Sequence, residues 1–101
     1  MFNRKFILAF SFLIGVIASN ALADSANNAK AMSYTCAACH GPQGISNNVL
    51  WPNLAGQKKG YLVKQLKDFH SGKRKNALMS SIAKSLTAEE IENLARYYSS
   101  L

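Results

Sequence analysis

Three scarcities limit what this 101-residue chain can be. It has only two cysteines, so at most one disulfide is possible and a scaffold held by several disulfides is excluded. It has 5 acidic residues against 12 basic ones, an excess that bears on partners and association rates and not on the fold. It has no internal repeat and no sustained strand alternation, and the class that we predict is therefore all-α.

The segment 1–23 is typical of a secretory signal. Arg4 and Lys5 form a positively charged start, an apolar stretch covers 6–18, and Ala21-Leu22-Ala23 supplies a cleavage site of small residues. The alternative, a membrane anchor, needs roughly 20 apolar residues, more than this stretch provides. We therefore predict a signal peptide over 1–23 and one mature domain over 24–101, exported to the periplasm and without a membrane span.

The mature domain is small and positively charged. The segment 24–101 can bury only a marginal core, and a cofactor fits as reinforcement better than one disulfide. Loss of Arg4 and Lys5 with the signal still leaves twice as many basic residues as acidic ones. Nucleic acid does not suit an exported protein, whereas an acidic protein partner or an anionic membrane surface does. We expect a monomer.

The sequence predicts three helices in the mature chain, two of which lie before residue 72. Weak periodicity over 24–34 predicts a short helix running into Cys36. The stretch 41–56 is rich in glycine and proline and is predicted to be an irregular loop. A second helix is expected over 60–71, where the apolar residues at helical spacing are Leu62, Leu66 and Phe69.

The last helix has the clearest start. Thr87-Ala-Glu-Glu90 is a capping box, in which the Thr87 hydroxyl and the Glu90 carboxylate each accept from the other residue's backbone amide. An apolar stripe follows at helical spacing, formed by Ile91, Leu94, Ala95 and Tyr98.

The motif that carries chemistry is Cys36-Ala-Ala-Cys39-His40, the C-x-x-C-H pattern of covalent haem attachment. Two cysteines at positions i and i+3 of a helix point to the same side, so each sulfur can reach one vinyl group of the porphyrin. His40 then lies under the iron as its proximal ligand. A thioredoxin-type thiol pair is the remote alternative, but it is expected beside strands and has no use for His40.

An electron-transfer haem needs a second axial ligand, and three residues are candidates. Met32 lies one helical turn before Cys36, too close to reach the opposite face of the porphyrin. His70 directly follows Phe69 near the end of a predicted helix, where a histidine is commonly solvated. Met79 lies far beyond His40, in a stretch predicted to be non-helical, with chain enough between them to wrap the haem. We favour Met79 over His70, since His/Met ligation suits electron-transfer cytochromes.

The ordered motifs of the chain resemble those of class I c-type cytochromes, in particular the small bacterial periplasmic cytochromes c and one half of their dihaem relatives. The motifs are Cys36-Ala-Ala-Cys-His-Gly-Pro-Gln-Gly44, Trp51-Pro-Asn-Leu-Ala-Gly-Gln57, Tyr61-Leu-x-x-Gln-Leu66, Gly72-x-Arg74, Met79, and Leu86-Thr-x-Glu-Glu-Ile91 with Leu94-Ala-x-Tyr97. The resemblance implies three to four short helices wrapped around one haem c and its iron. It also implies an electron carrier and not an enzyme.

The resemblance assigns roles to further residues. Met79 becomes the distal ligand, and the carbonyl of Pro52 accepts a hydrogen bond from the far nitrogen of His40. Gly41 and Gly44 let the backbone pass close to the haem edge. The first and last helices cross through a small residue near Asn28 and Ala29 and an aromatic, Tyr97 or Tyr98. Three residues either contact the haem or its propionates, or serve only as core packing and solvated charge: Trp51, Tyr61 and Arg74.

Seven basic residues crowd into the segment 58–75, which covers the second predicted helix and its flanks. Such a cluster either keeps the surface solvated or steers an acidic redox partner towards the haem edge. The main hypothesis is a soluble one-electron shuttle, and the alternative is a cytochrome subunit of a larger periplasmic dehydrogenase or oxidase. The cluster consists of Lys58, Lys59, Lys64, Lys67, Lys73, Arg74 and Lys75.

Overall fold

The computed structural model describes the backbone of residues 4–101 and the side chains of residues 20–101. Over residues 4–101 the chain forms four helices and no strand, which confirms the predicted all-α class. In the described part of the chain, no helix is both long enough and apolar enough to cross a membrane. The helices are α1 (Arg4–His40), α2 (Lys59–Ser71), α3 (Met79–Lys84) and α4 (Ala88–Ser99).

The first helix is longer than the short helix that the periodicity predicted. It runs from Arg4 to His40, so the C-x-x-C-H motif forms its last turns. The segment 24–40 is rich in alanine, which favours a helix without any amphipathic pattern, and this is why periodicity underestimated it. Gly41, with a φ of 87°, then ends the helix. The apolar stretch of the predicted signal peptide lies outside the described side chains, and its cleavage stays a prediction.

The second helix begins at Lys59, one residue before the predicted start, and ends at Ser71 as expected. Gly72 follows with a φ of 83°, and its N–H donates to the carbonyl of Phe69. A glycine in this left-handed conformation is a common end to a helix. The buried side chains of α2 are Leu62 and Phe69, which lie on the predicted apolar face.

The third helix was not predicted. Met79 was expected in a non-helical stretch, but it is the first residue of α3, a helix of six residues. A helix this short offers too few positions for a periodic pattern, and it would be marginal in isolation. The side chain of Asn76 supports it, because its Oδ1 accepts from the N–H groups of Leu78 at 2.9 Å and Met79 at 3.0 Å.

The fourth helix confirms its sequence signals. Thr87 Oγ1 accepts from the Glu90 N–H at 3.1 Å, and Glu90 Oε2 accepts from the Thr87 N–H at 2.8 Å. The predicted stripe is the buried face of the helix. Leu94, Ala95 and Tyr98 join Leu62 of α2 in one core cluster.

The crossing of α1 and α4 joins a small residue to an aromatic, as expected. Ala29 is 1% exposed and Tyr98 is 4% exposed. The Tyr98 hydroxyl donates to the carbonyl of Ser33 at 3.4 Å. Tyr98 is therefore the aromatic that joins α4 to α1, and Ala29 is a buried small residue one helical turn before Ser33, the partner of Tyr98. This contact places the last turns of α1 against the core of the domain.

Candidate haem site

Both cysteines lie near the carboxyl end of α1, one helical turn apart, and they are not bonded to each other. Cys36 packs against the core cluster. Burial raises the pKa of its thiol above the ordinary value, although a hydrogen bond with Tyr98 opposes that effect. A thiol-disulfide enzyme needs an attacking thiol of lowered pKa. The environment of Cys36 therefore disfavours the thiol-disulfide alternative.

His40 is the last residue of α1 and is only 7% exposed. Its Nδ1–H donates to the carbonyl oxygen of Pro52 at 2.7 Å. Because a carbonyl only accepts, the neutral ring carries its proton on Nδ1, and Nε2 keeps a lone pair for a metal. A ligating histidine is usually oriented by such a bond from its other nitrogen. The ring is thus held in the tautomer and orientation that an axial ligand requires.

The loop that brings Pro52 back to His40 depends on two glycines with positive φ. A Cβ on Gly41 would lie 1.8 Å from the carbonyl oxygen of Ile45. The carbonyl of Gly44 accepts from the N–H groups of Leu54 at 2.8 Å and Ala55 at 3.0 Å. A Cβ on Gly44 would lie 2.8 Å from the Ala55 nitrogen, so the folded loop requires a glycine at both positions even without a haem beside it.

Two polar residues that sequence reasoning missed tie this loop together. The backbone N–H of Ser46 donates to Asn53 Oδ1 at 2.7 Å, and Ser46 Oγ donates to the carbonyl of Cys39 at 3.3 Å. These bonds connect the loop directly to the attachment motif. Short polar side chains in a loop commonly bond to nearby backbone, and that tendency is the signal that could have found them.

The candidates for a second axial ligand occupy different places. Met32 packs against the core cluster from α1. Met79 is half-buried at the first residue of α3. His70, on the last turn of α2, donates from Nδ1 to the carbonyl of Ala83 at 2.8 Å.

The three residues for which haem contact, core packing and solvated charge were alternatives are all exposed and lie outside the core. Trp51 and Tyr61 are both exposed. The Arg74 guanidinium lies 4.5 Å from the centre of the Phe69 ring, and its Nη1 donates to Gln65 Oε1 at 2.8 Å. Arg74 is therefore held against α2 and is not a freely solvated charge.

The donors and surfaces near the motif fit a haem. Among the described side chains, no three His, Cys, Asp or Glu residues cluster as a metal site would require. The motif instead offers one imidazole and two thiols, the set that a covalently attached porphyrin needs. Large apolar side chains are exposed beside Pro52 and Met79 in the chain, with Val49 at 100%, and they suit contact with an apolar group. The others are Leu50, Trp51 and Leu78.

The cytochrome c family model matches residues 25–101. The chain belongs to the cytochrome c family. A solved cytochrome c4 from Acidithiobacillus ferrooxidans superposes with a TM-score of 0.72 at 38% identity, over 76% of this chain and 50% of that one. This likeness confirms the class I cytochrome fold.

Two relatives extend the comparison. A cytochrome c4 from Thiocapsa roseopersicina is 51% identical over 73 residues, which are 72% of this chain and 37% of the relative. A thiosulfate dehydrogenase electron acceptor from Thiomonas intermedia is 47% identical over 68 residues, which are 66% of this chain and 31% of the relative. The chain thus spans about a third of the length of these relatives and half of the solved chain.

Membership of the family settles the cofactor. A cytochrome c domain carries haem c, whose iron it holds through a C-x-x-C-H motif, and this cytochrome has that motif at Cys36, Cys39 and His40. The predicted haem c is therefore confirmed.

Proposed function

We propose that this cytochrome is a one-electron carrier of the bacterial periplasm, with His40 and Met79 as the axial ligands of its haem. The observation that carries the proposal is the bond from His40 Nδ1 to the Pro52 carbonyl, which leaves Nε2 free at the end of the attachment motif. The family and a relative named as an electron acceptor support the same role.

The residues of the chain then act as a rigid holder. Cys36 and Cys39 each form a thioether, and Pro52 keeps the His40 ring from rotating. The soft sulfur of Met79 favours the ferrous state and so raises the reduction potential. When bound, the haem supplies the one-electron chemistry, and the protein supplies ligation, burial and a docking face. Ligands on both faces leave no open position for a substrate, which suits a carrier and not an enzyme.

Covalent attachment is tested on protein purified from a periplasm that attaches haem c. After denaturation in acid and organic solvent, we expect one haem to stay on each chain. Recovery of free haem with two alkylatable thiols would contradict the proposal.

Axial ligation is tested with Met79→Ala and a matched variant, Met32→Ala. The Met79 variant should lose the sulfur–iron charge-transfer band, have a lower reduction potential and bind exogenous ligands. The Met32 variant should do none of these, since Met32 packs against the core. The assignment is wrong if the band survives in Met79→Ala, or if only a His70 variant loses its low-spin spectrum.

Export to the periplasm is part of the proposal. The family match begins at residue 25, next to the predicted cleavage site after Ala23, and this supports a boundary there. The intact mass of protein recovered from its native compartment should equal residues 24–101 plus one haem. A mass that includes residues 1–23 would refute cleavage.

An acidic docking surface on the redox partner is the finer part of the proposal. In the described part of the chain, Lys59 pairs with Glu92 at 3.3 Å and Lys64 pairs with Asp68. Neither Lys73 nor Lys75 has such a partner among the described residues. The unpaired charges are therefore the ones available to a partner, and steering by them can raise association rates by roughly 10- to 1,000-fold.

The docking test measures the second-order rate of electron transfer to a purified native partner as ionic strength rises. We expect a steep fall, because salt screens exposed charges. The double variant Lys73→Gln, Lys75→Gln should weaken this dependence more than the control Lys59→Gln, Lys64→Gln, which removes the same charge. Equal effects of the two double variants would mean that only net charge matters. A rate that does not change with ionic strength would mean that the cluster only keeps the surface solvated.

A permanent subunit of a larger dehydrogenase is the alternative, and it is favoured by a relative from Chlorobaculum tepidum that is named as the cytochrome subunit of sulfide dehydrogenase and is 39% identical over 70 residues. Gel filtration of protein from its native source separates the two. A free carrier elutes as a monomer of the mature mass, whereas a subunit co-purifies with a larger chain.

A further inference from the structure

The helix that carries Met79 is anchored at both ends by side chains from outside it. At its start, Asn76 Oδ1 accepts from the Met79 N–H at 3.0 Å. At its other end, His70 Nδ1–H donates to the carbonyl of Ala83 at 2.8 Å. With six residues, α3 is too short to be stable by itself, so contacts of this kind decide where it lies.

The bond from His70 joins two helices at a packed interface. His70 lies on the last turn of α2, and Ala83, which is 0% exposed, lies on the last turn of α3. The carbonyls at the end of a helix lack intrahelical partners and attract donors such as imidazole. Ala83 O also accepts from the Leu86 N–H at 3.1 Å, so loss of His70 does not leave it unsatisfied. The contribution of His70 is therefore positional.

We propose that His70 is a positioning residue for Met79, because its bond to Ala83 keeps α3 against α2 and so keeps the Met79 sulfur at the iron. The inference rests on the proposed His40/Met79 ligation. The proposal couples release of the sulfur to movement of α3 away from α2, and that movement breaks the bond from His70. Removal of the bond shifts the balance towards the released form.

Exposure, and not the bond itself, distinguishes this role from that of an axial ligand, because the buried His40 makes the same kind of bond to a carbonyl. His70 is exposed and lines a surface pocket of about 630 Å³ together with Lys75 and Lys84. Its Nδ1 faces the backbone of α3. A substitution that places an N–H donor at the same position can therefore replace it. Asparagine also carries an N–H donor on the nitrogen bonded to Cγ, so His70→Asn can keep the hydrogen bond that His70→Leu loses.

The test uses the oxidised holoprotein and three variants, His70→Leu, His70→Asn and Lys67→Leu. Lys67→Leu is the matched control, since it places the same leucine on an exposed position of α2. We expect His70→Leu to bind exogenous imidazole up to about fivefold more tightly, the equivalent of one hydrogen bond of about 1 kcal/mol. The amide hydrogens of residues 79–84 should also exchange faster in this variant, while His70→Asn and the control stay near wild type.

Met79→Ala, measured beside these variants, separates failure of the inference from failure of the ligation. If Met79→Ala loses the sulfur–iron band while His70→Leu matches the control in imidazole affinity and amide exchange, the positioning role is refuted and the ligation stands. If Met79→Ala keeps the band, the ligation itself is wrong. Failure of His70→Asn to restore the wild-type affinity would also overturn the role assigned to the Nδ1–H.

Discussion

Three glycines with positive φ should differ in how much stability they lose on substitution by alanine. Gly41, Gly44 and Gly72 have φ values of 87°, 74° and 83°, so the backbone penalty is similar for each. An alanine in this region costs roughly 1–2 kcal/mol. Their surroundings differ, because a Cβ at Gly72 meets nothing within 4 Å. Gly72→Ala should therefore cost the backbone penalty alone.

The other two sites add steric terms. At Gly44 a Cβ would lie 2.8 Å from the Ala55 nitrogen, which also donates to the Gly44 carbonyl. Disturbance of that hydrogen bond adds about 1 kcal/mol. At Gly41 the Cβ would lie 1.8 Å from the Ile45 oxygen, so the loop must move and the bond between His40 and Pro52 is disturbed as well. We expect a total of about 3–4 kcal/mol for Gly41→Ala, a large share of a typical stability of about 5–15 kcal/mol.

Urea unfolding of the holoprotein, followed by circular dichroism, measures these losses. The covalent haem stays on the chain in both states, so the variants share one reference. The expected order of loss is Gly72→Ala, then Gly44→Ala, then Gly41→Ala, at a constant slope against urea. Equal losses at the three sites would refute the steric reasoning. Failure of Gly41→Ala alone to fold would agree with it.

Three further variants test other parts of the structure. The double variant Cys36→Ala, Cys39→Ala cannot attach haem. Its circular dichroism should show far less helix, because so short a mature chain buries too little core without the cofactor. Native-like cooperative melting of this variant would contradict the prediction. Thr87→Ala removes one half of the capping box and should lower the free energy of unfolding by about 1 kcal/mol, as measured by urea unfolding. Burial raises the pKa of Tyr98, so the folded state keeps a proton that the unfolded state loses, and stability should fall as pH rises above about 10. Tyr98→Phe should flatten that fall in urea midpoints measured against pH, and an unchanged slope would contradict it.

The parts of this cytochrome that could be predicted from its sequence are those whose contacts are local. The attachment motif spans five consecutive residues, and the capping box of α4 spans four. The apolar stripes of α2 and α4 repeat within one helix, and each became a buried face. The hydrogen bond partner of His40 came from the resemblance to a family, since nothing in the local pattern points to Pro52.

Only the tertiary structure could decide the rest, because it depends on residues far apart in the chain. Helix α3 is contacted by Asn76 at its start and by His70 near its end. His70 lies 13 positions before Ala83, whose carbonyl accepts its hydrogen bond. The division of the lysines into paired and unpaired ones followed from contacts such as that between Lys59 on α2 and Glu92 on α4. Periodicity reports which face of a helix is apolar, but it carries no information on which distant side chain meets that face. For this reason the sequence could suggest Met79 as a candidate ligand, but it could not predict the helix on which Met79 lies or the contacts of that helix.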